Sequence, residues 1–210
     1  MKTDRAFCLS SYLTFRYVAK PGIAWSDSIM PQFPDVAAQG KVRVSTSEEV
    51  LGALRTYINN HADVNTTGVL LSAGIDSAII AGLMPKGTKA YTIRFEADDA
   101  IDEAPAAKFV ADRLGMEHRI VTVSWNDYIN CADFLMKHKK APLHPAEVGL
   151  YIAANIARQD GINLLAVGNG ADSTFGGMDK LLSKDWEFDE FVRRYTFLEP
   201  KRVLRTPASH

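Results

Sequence analysis

Between residues 68 and 167 the chain alternates short apolar runs with amphipathic stretches, and that rhythm leaves few folds open. Gly68-Val69-Leu70-Leu71, Ala90 to Phe95, Arg119 to Val123 and Ile162 to Val167 each read as a strand. Helical spacing fills the intervals: after Asp76, over 103–114, over 125–138 and over 146–159. Short strands made largely of apolar residues and separated by helices predict a parallel sheet covered on both faces, an α/β domain. A further helix is expected ahead of the first strand. Thr46-Ser47-Glu48-Glu49 has the capping-box spacing, and Val50, Leu51, Leu54, Tyr57 and Ile58 follow at helical intervals.

The first 45 residues read as an irregular segment. Pro21, Pro31 and Pro34 fall there, and proline removes a backbone donor and fixes φ. The expected division is therefore 1–45, irregular, and 46–210, one α/β domain.

Composition narrows the partners. The net charge is -1, with 47% hydrophobic and 23% charged residues, which gives no electrostatic reason to expect nucleic acid or an anionic membrane surface. No apolar run approaches the roughly 20 residues that cross a bilayer. Met1-Lys2-Thr3-Asp4-Arg5 has no signal-peptide core behind it. Cys8 and Cys131 are too far apart in sequence to suggest a disulfide framework, and no Cys/His cluster has zinc spacing. The cytoplasm is the expected compartment.

Chemistry concentrates in two turns. Ser72-Ala73-Gly74-Ile75-Asp76-Ser77 links a strand's carboxyl end to a helix amino end. Backbone N–H groups there are unpaired, and the helix dipole adds positive charge, so phosphate is welcome. Asp76 repels a bare phosphate and makes sense as a Mg²⁺ ligand, since Mg²⁺ takes oxygen ligands and bridges phosphates. A helix-capping aspartate and a turn-permitting glycine explain the same residues without a ligand. The loop lacks the lysine and spacing of a Walker A motif, and no dinucleotide fingerprint is present. The second turn, Gly168-Asn169-Gly170-Ala171-Asp172, follows the fourth strand, with Phe175-Gly176-Gly177 just after. In a doubly wound sheet both turns leave carboxyl ends of strands, where ligands bind.

These residues resemble a known family. Ser72–Ser77 is similar to the PP-loop of ATP pyrophosphatases, usually Ser-Gly-Gly-x-Asp-Ser, with Ala73 at the first glycine. With the second turn, the pair resembles the synthetase domain of asparagine synthetases and of β-lactam synthetases. Ile101-Asp102-Glu103-Ala104 through Leu114-Gly115-Met116-Glu117-His118 is similar to that family's acidic start, alanine-rich helix and Leu-Gly-x-x-His ending. Leu13 to Val18 and Ile29-Met30-Pro31 resemble its connector. The likeness runs over roughly 12–180 and keeps its motifs in order.

The resemblance implies a doubly wound parallel sheet of about five strands and an ATP site. Leu71 would join the ATP site, Ser72, Ala73, Gly74, Ile75, Asp76 and Ser77 would hold the phosphates, Ile93 and Phe95 the adenine, and Gly168 and Gly170 would let the backbone approach. Asp76 and Asp172 would bind Mg²⁺. Glu103, Asn169 and Ser173 would face the substrate, with Asp76, Asp172 and Asn169 as the catalytic set. The implied reaction adenylates a small-molecule carboxylate, releases pyrophosphate and forms an amide with ammonia or an amine.

Departures from the family shape the expectations. Asparagine synthetases have Glu, and β-lactam synthetases typically Tyr, where this chain has Asn169, which cannot serve as a general base. Ser173 replaces a second Glu. Lys2 stands where a glutaminase would carry its nucleophilic cysteine, so free ammonia, an amine, or a separate glutaminase or partner subunit is expected. A shortened carboxyl end is also expected. Its Arg193, Arg194, Lys201, Arg202 and Arg205 serve either pyrophosphate or a solvated face. Lys137, His138, Lys139, Lys140 and His144 form a second basic cluster, either an anion-attracting patch or solvated surface. His118 is expected to be structural, and Trp25, Trp125 and Trp186 to be core or half-buried anchors. A homodimer is compatible with all of this. The alternatives are another PP-loop adenylating enzyme and a non-catalytic nucleotide-binding module.

Overall fold

Thr46 starts the first helix of the main unit as its spacing predicts. The Glu49 N–H donates to Thr46 Oγ1 at 3.2 Å, and the Glu49 carboxylate accepts from Thr46 N–H at 3.3 Å. In this computed structural model, the described residues are 2–15, 18, 20–27, 43–98, 100–139, 143–175, 185–187, 190 and 193. The chain divides into two compact units, Arg43–Gly177 and a second formed by Met1–Val42 with Met178–His210.

In the second unit, β1 (Lys2–Thr3) pairs in parallel with β2 (Ile23–Ala24), and α1 (Arg5–Phe15) lies between them in sequence. This corrects the expectation of an irregular start. The prolines that argued against a helix all follow α1, and the Asp4 carboxylate accepts the Phe7 N–H at 2.9 Å at its beginning. Phe7, Cys8 and Ser11 are buried along it. The stretch from 28 to 42, with Ile29, Pro31 and Pro34, lies outside the described residues.

The main unit continues from α2 (Ser47–His61) into β3 (Thr67–Leu70), α3 (Ile75–Leu83), β4 (Lys89–Phe95), α4 (Ala104–Leu114), β5 (Glu117–Val123), α5 (Trp125–Lys139), α6 (Pro145–Gln159), β6 (Leu164–Ala166) and α7 (Ala171–Phe175). All pairings in its sheet are parallel, in the order β5-β4-β3-β6. Among the described residues the sheet therefore has four strands rather than about five. The chain winds outward from β3 through β4 to β5, then returns to place β6 on the other side of β3. That reversal between β3 and β6 is the switch point of a doubly wound sheet.

Strand alternation distributes the core to both faces. Val69, Leu71 and Ala90 join Ala81 of α3 and Ala107 and Ala111 of α4 on one side. Tyr91, Val121 and Val123 join Val148, Ala153 and Ala157 of α6 on the other. Small residues on α4 and α6 bring these helices close to the sheet. Gly149 is the tightest case: a Cβ there would lie 2.9 Å from both Ile93 Cγ2 and Phe95 Cζ. Trp125 departs from expectation, being 67% exposed in the first turn of α5 and stacked on Tyr128. Trp25 is partly exposed under the Arg5 guanidinium, and Trp186 is half-buried.

A polar tie closes the far face of the sheet. Buried Tyr91 donates its hydroxyl to Asp160 Oδ2 at 3.0 Å, and Arg119 Nη1 reaches both Asp160 oxygens at 2.6 and 2.7 Å. The Arg119 bond, seconded by Tyr91, holds the Asp160 carboxyl below the usual carboxylate range, while burial pushes the Tyr91 hydroxyl far up. A depressed carboxyl contributes stability that is complete above the ordinary aspartate range, about pH 4, and is lost as pH falls through the folded value. Tyr91→Phe is expected to cost about 1 kcal/mol in urea unfolding at pH 7. Asp160→Asn should flatten the acid limb of the stability profile; an unchanged acid limb would rule the pair out as its source.

Candidate functional site

The turn after β3 is braced from within. Leu71 is buried and its N–H donates to the Tyr91 carbonyl at 2.8 Å, extending the strand by one residue. The Ser77 hydroxyl then acts as a hub. It accepts the Ser72 N–H at 3.0 Å, lies 2.8 Å from Ser72 Oγ and reaches the Gly74 carbonyl at 3.0 Å. Ser72 Oγ in turn accepts the Gly74 N–H at 3.2 Å. These bonds occupy both serine hydroxyls inside the loop, so they shape it before anything else.

Gly74 caps α3 in an extended conformation, with φ -79° and ψ 149°, and no side chain makes a cap hydrogen bond. The first amides of α3 are therefore left for an outside acceptor, which is what a phosphate supplies. Asp76 sits in that first turn, half-buried, while Ala73, Gly74 and Ile75 are exposed.

The turn after β6 lies against the same spot. A Cβ on Gly168 would fall 3.0 Å from Ser77 N and 3.1 Å from the Asp76 carbonyl carbon. Two backbones meet there with no room for a side chain. Gly170 turns the chain with φ 90°, and Thr174 donates its N–H and hydroxyl to the Gly170 carbonyl at 3.1 and 2.9 Å. Asn169 and Asp172 are exposed beside it.

A cleft of about 780 Å³ opens between these turns. From the first turn it takes Leu71, Ser72, Gly74, Asp76 and Ser77; from the second, Gly168, Asn169, Gly170 and Asp172. Ile93 and Phe95 enter from the end of β4 and Glu103 from the start of α4. Ala73 is not in the wall, and Ile75, 74% exposed, points into a separate groove. The Ser173 side chain lies outside the described residues.

The cleft also holds residues that the sequence did not single out as binding groups: Ile101, Ala146, Glu147, Leu150 and Val167. Glu147 was findable as a helix-start residue. It forms a capping box with His144, whose Nδ1 accepts the Ala146 N–H at 3.2 Å. Lys139 Nζ meets both Glu147 oxygens at 2.6 and 2.8 Å, and Lys137 pairs with Asp133 at 2.6 Å. His138 stacks on Phe134. The basic cluster near 137–144 thus carries paired cations; Lys140 lies outside the described residues, as do Arg194, Lys201, Arg202 and Arg205 of the tail.

The loop bearing Ile101 and Glu103 is clamped. Arg94 meets Asp102 through two contacts, Nε to Oδ1 at 3.0 Å and Nη2 to Oδ2 at 2.8 Å, and Asp102 Oδ1 accepts the Ala104 N–H at 3.0 Å. These bonds, the Arg94 one first, hold the Asp102 carboxyl below its ordinary range. On the same face of β4, Thr92 donates its hydroxyl to the Leu71 carbonyl at 2.7 Å and sits 2.8 Å from His118 Nε2.

The donor set fits a nucleoside triphosphate with Mg²⁺. Uncapped helix amides suit the phosphates, and Ile93, Phe95, Ile101 and Leu150 give an apolar wall for a base. Among the described residues no three or more His, Cys, Asp or Glu side chains gather as a metal site. Two carboxylates suffice for Mg²⁺, which completes its shell with water and phosphate oxygens. No helix among the described residues is long and apolar enough to cross a membrane. Cys8 and Cys131 are free.

The chain matches the family model described as asparagine synthase over residues 51–207. It is 28% identical over 163 residues to the amidase chry2 of Gibberella zeae, covering 69% of this chain and 24% of that protein. It is 31% identical over 136 residues to a putative glutamine-hydrolyzing asparagine synthetase of Mycobacterium bovis, covering 62% and 20%. The chain thus spans about a quarter or less of the length of these curated relatives. An NH3-dependent NAD synthetase of Campylobacter jejuni superposes with a TM-score of 0.40 at 12% identity, over 71% of this chain and 77% of that one.

Proposed function

The chain belongs to the asparagine synthase family, and on that premise we propose that it is an ATP-dependent ligase, which adenylates a carboxylate, releases pyrophosphate and forms an amide with ammonia or an amine. The observation that carries this reading is the meeting of two turns at the sheet's switch point. The uncapped start of α3, with Asp76 in its first turn, and the Gly168–Asp172 turn form one cleft.

Each group then has a task. The α3 amides receive the phosphate oxygens, in a loop that Ser72 and Ser77 hold in shape. Ile93 and Phe95 receive the adenine. Asp76 and Asp172 hold Mg²⁺, which when bound offsets the charge of the departing pyrophosphate. Asn169 can orient an acyl oxygen or an incoming N–H by hydrogen bonds but takes up no proton. Glu103 and Ser173 are proposed to face the substrate. If glutamine is the nitrogen source, a glutaminase is needed to release its ammonia. The cytoplasm, which supplies ATP and keeps cysteines reduced, is the compartment this reading implies.

The test is pyrophosphate release from Mg-ATP in the presence of pooled carboxylates and ammonium. Release is expected only when a carboxylate is supplied. ATP binding without release across the pool would replace the ligase with a nucleotide-binding module.

A further inference from the structure

A second concavity, of about 850 Å³, backs onto the nucleotide cleft along Asp76 and the stretch Val167–Asp172. Its other walls are mostly apolar, with Leu51 and Leu54 of α2, Ile75 and Ile79 of α3 and Phe175 of α7, beside the hydroxyl residues Ser47 and Thr174. Four of these are exposed, Ile75 at 74%, Phe175 at 60%, Ile79 at 44% and Leu51 at 38%. Large apolar side chains gathered at one exposed place mark a binding surface more often than scattered ones do. This groove also has a polarity. Among the described residues that line it, the charged side chains are Asp76 and Asp172, both at the end shared with the nucleotide cleft, and none is a lysine, arginine or histidine.

A ligand that matches both features has a cationic head and an apolar tail. Resting on the ligase reading above, we infer that the groove binds the nitrogen substrate and that this is a primary alkyl or arylalkyl amine rather than ammonia. The head lies by Asp76 and Asp172, next to the cleft where the carboxylate is activated, and the tail lies between α2, α3 and α7. Without a bound metal, a carboxylate entering the same way would bring its own charge against Asp76 and Asp172, with no cation among the described lining residues to receive it. Mg-ATP in the neighbouring cleft keeps the same sign, because the triphosphate carries more negative charge than one Mg²⁺ cancels.

The transfer step balances. The ammonium first gives one proton to water. Its lone pair then forms the N–C bond at the activated carbonyl, the C–O bond to AMP breaks, and AMP leaves with that electron pair. A second proton passes from nitrogen to solvent. Asn169, on the shared wall, can accept an N–H from the approaching amine with its carboxamide oxygen.

Calorimetric binding to the full chain, without ATP, tests the groove apart from the chemistry. The probes are n-butyl-, n-hexyl- and n-octylammonium, with hexanoate and octanoate as charge-reversed matches. Affinity of the ammonium series is expected to rise about fourfold per buried methylene. Octanoate should bind at least about tenfold more weakly than octylammonium. Leu51→Asn and Phe175→Asn, on two different helices, should each weaken octylammonium several-fold and leave Mg-ATP affinity unchanged. Equal or tighter binding of octanoate, no binding of either series, or no effect of both substitutions would overturn the inference. Pyrophosphate release is followed on the same preparations. Amine binding without release would leave an amine-binding groove and overturn the ligase reading, and with it the co-substrate role.

Discussion

Asp76→Asn is expected to reduce pyrophosphate release by about a hundredfold or more, since weakening even the outer support of a metal costs 10- to 100-fold. The same change should weaken Mg-ATP binding and leave metal-free ATP binding equal or tighter. That opposition of sign follows from the position of the residue. Asp76 stands in the first turn of α3, where the phosphates are proposed to meet the helix amides, so without a metal its charge would oppose the nucleotide. Stability should change by no more than about 1 kcal/mol, the usual worth of a carboxylate at a helix start. A purely capping Asp76 would behave differently: stability would fall and pyrophosphate release would survive. Measuring release, both ATP affinities and urea unfolding on one protein separates the two roles.

Gly168→Val is expected to be the most damaging single change outside the charged residues. The added Cβ would meet Ser77 N and the Asp76 carbonyl carbon at 3.0 and 3.1 Å, and backbone cannot swing aside as a side chain can. Either the turn after β6 or the start of α3 has to move. Overpacking of this kind costs roughly 1–3 kcal/mol, and it separates the two turns that form the cleft. Loss of both urea stability and ATP binding is the expected result. A variant with wild-type ATP affinity would show that the two turns need not touch.

The sequence made the alternation of strands and helices legible because buried parallel strands are apolar throughout and their helices are not. It made the Ser72–Ser77 turn legible because serine, glycine and aspartate between strand and helix do a recognisable job. The contact at Gly168 was hidden for a physical reason: it joins two backbones, and a residue without a side chain leaves no pattern to read. Glu147 was not singled out, and His144 was read within a basic cluster that was either an anion-attracting patch or solvated surface. Only the close seating of α6 on β4, where Gly149 meets Ile93 and Phe95, brings the start of that helix to the cleft. Helix α1 was obscured by prolines that follow it. Successive helical residues point about 100° apart, so the Ile75 side chain lines the apolar groove while its N–H stays among the first amides of α3.

The Thr92 hydroxyl has one proton to give, and it gives it to the Leu71 carbonyl. What it receives must come from His118 Nε2, so the neutral ring carries its hydrogen there. Burial, and after it Lys108, pulls His118 below the usual histidine range, so the ring stays neutral at pH 7. Three neighbouring strands are thereby threaded by one direction of hydrogen bonding, from β5 through β4 to the last residue before the phosphate turn. Leu71 takes part through its backbone carbonyl, which any residue there supplies, so the two side chains tied to each other are Thr92 and His118. Exchanging His118 for a side chain with no hydrogen to donate would leave Thr92 its bond to Leu71 but cut β5 loose from the anchor of the turn.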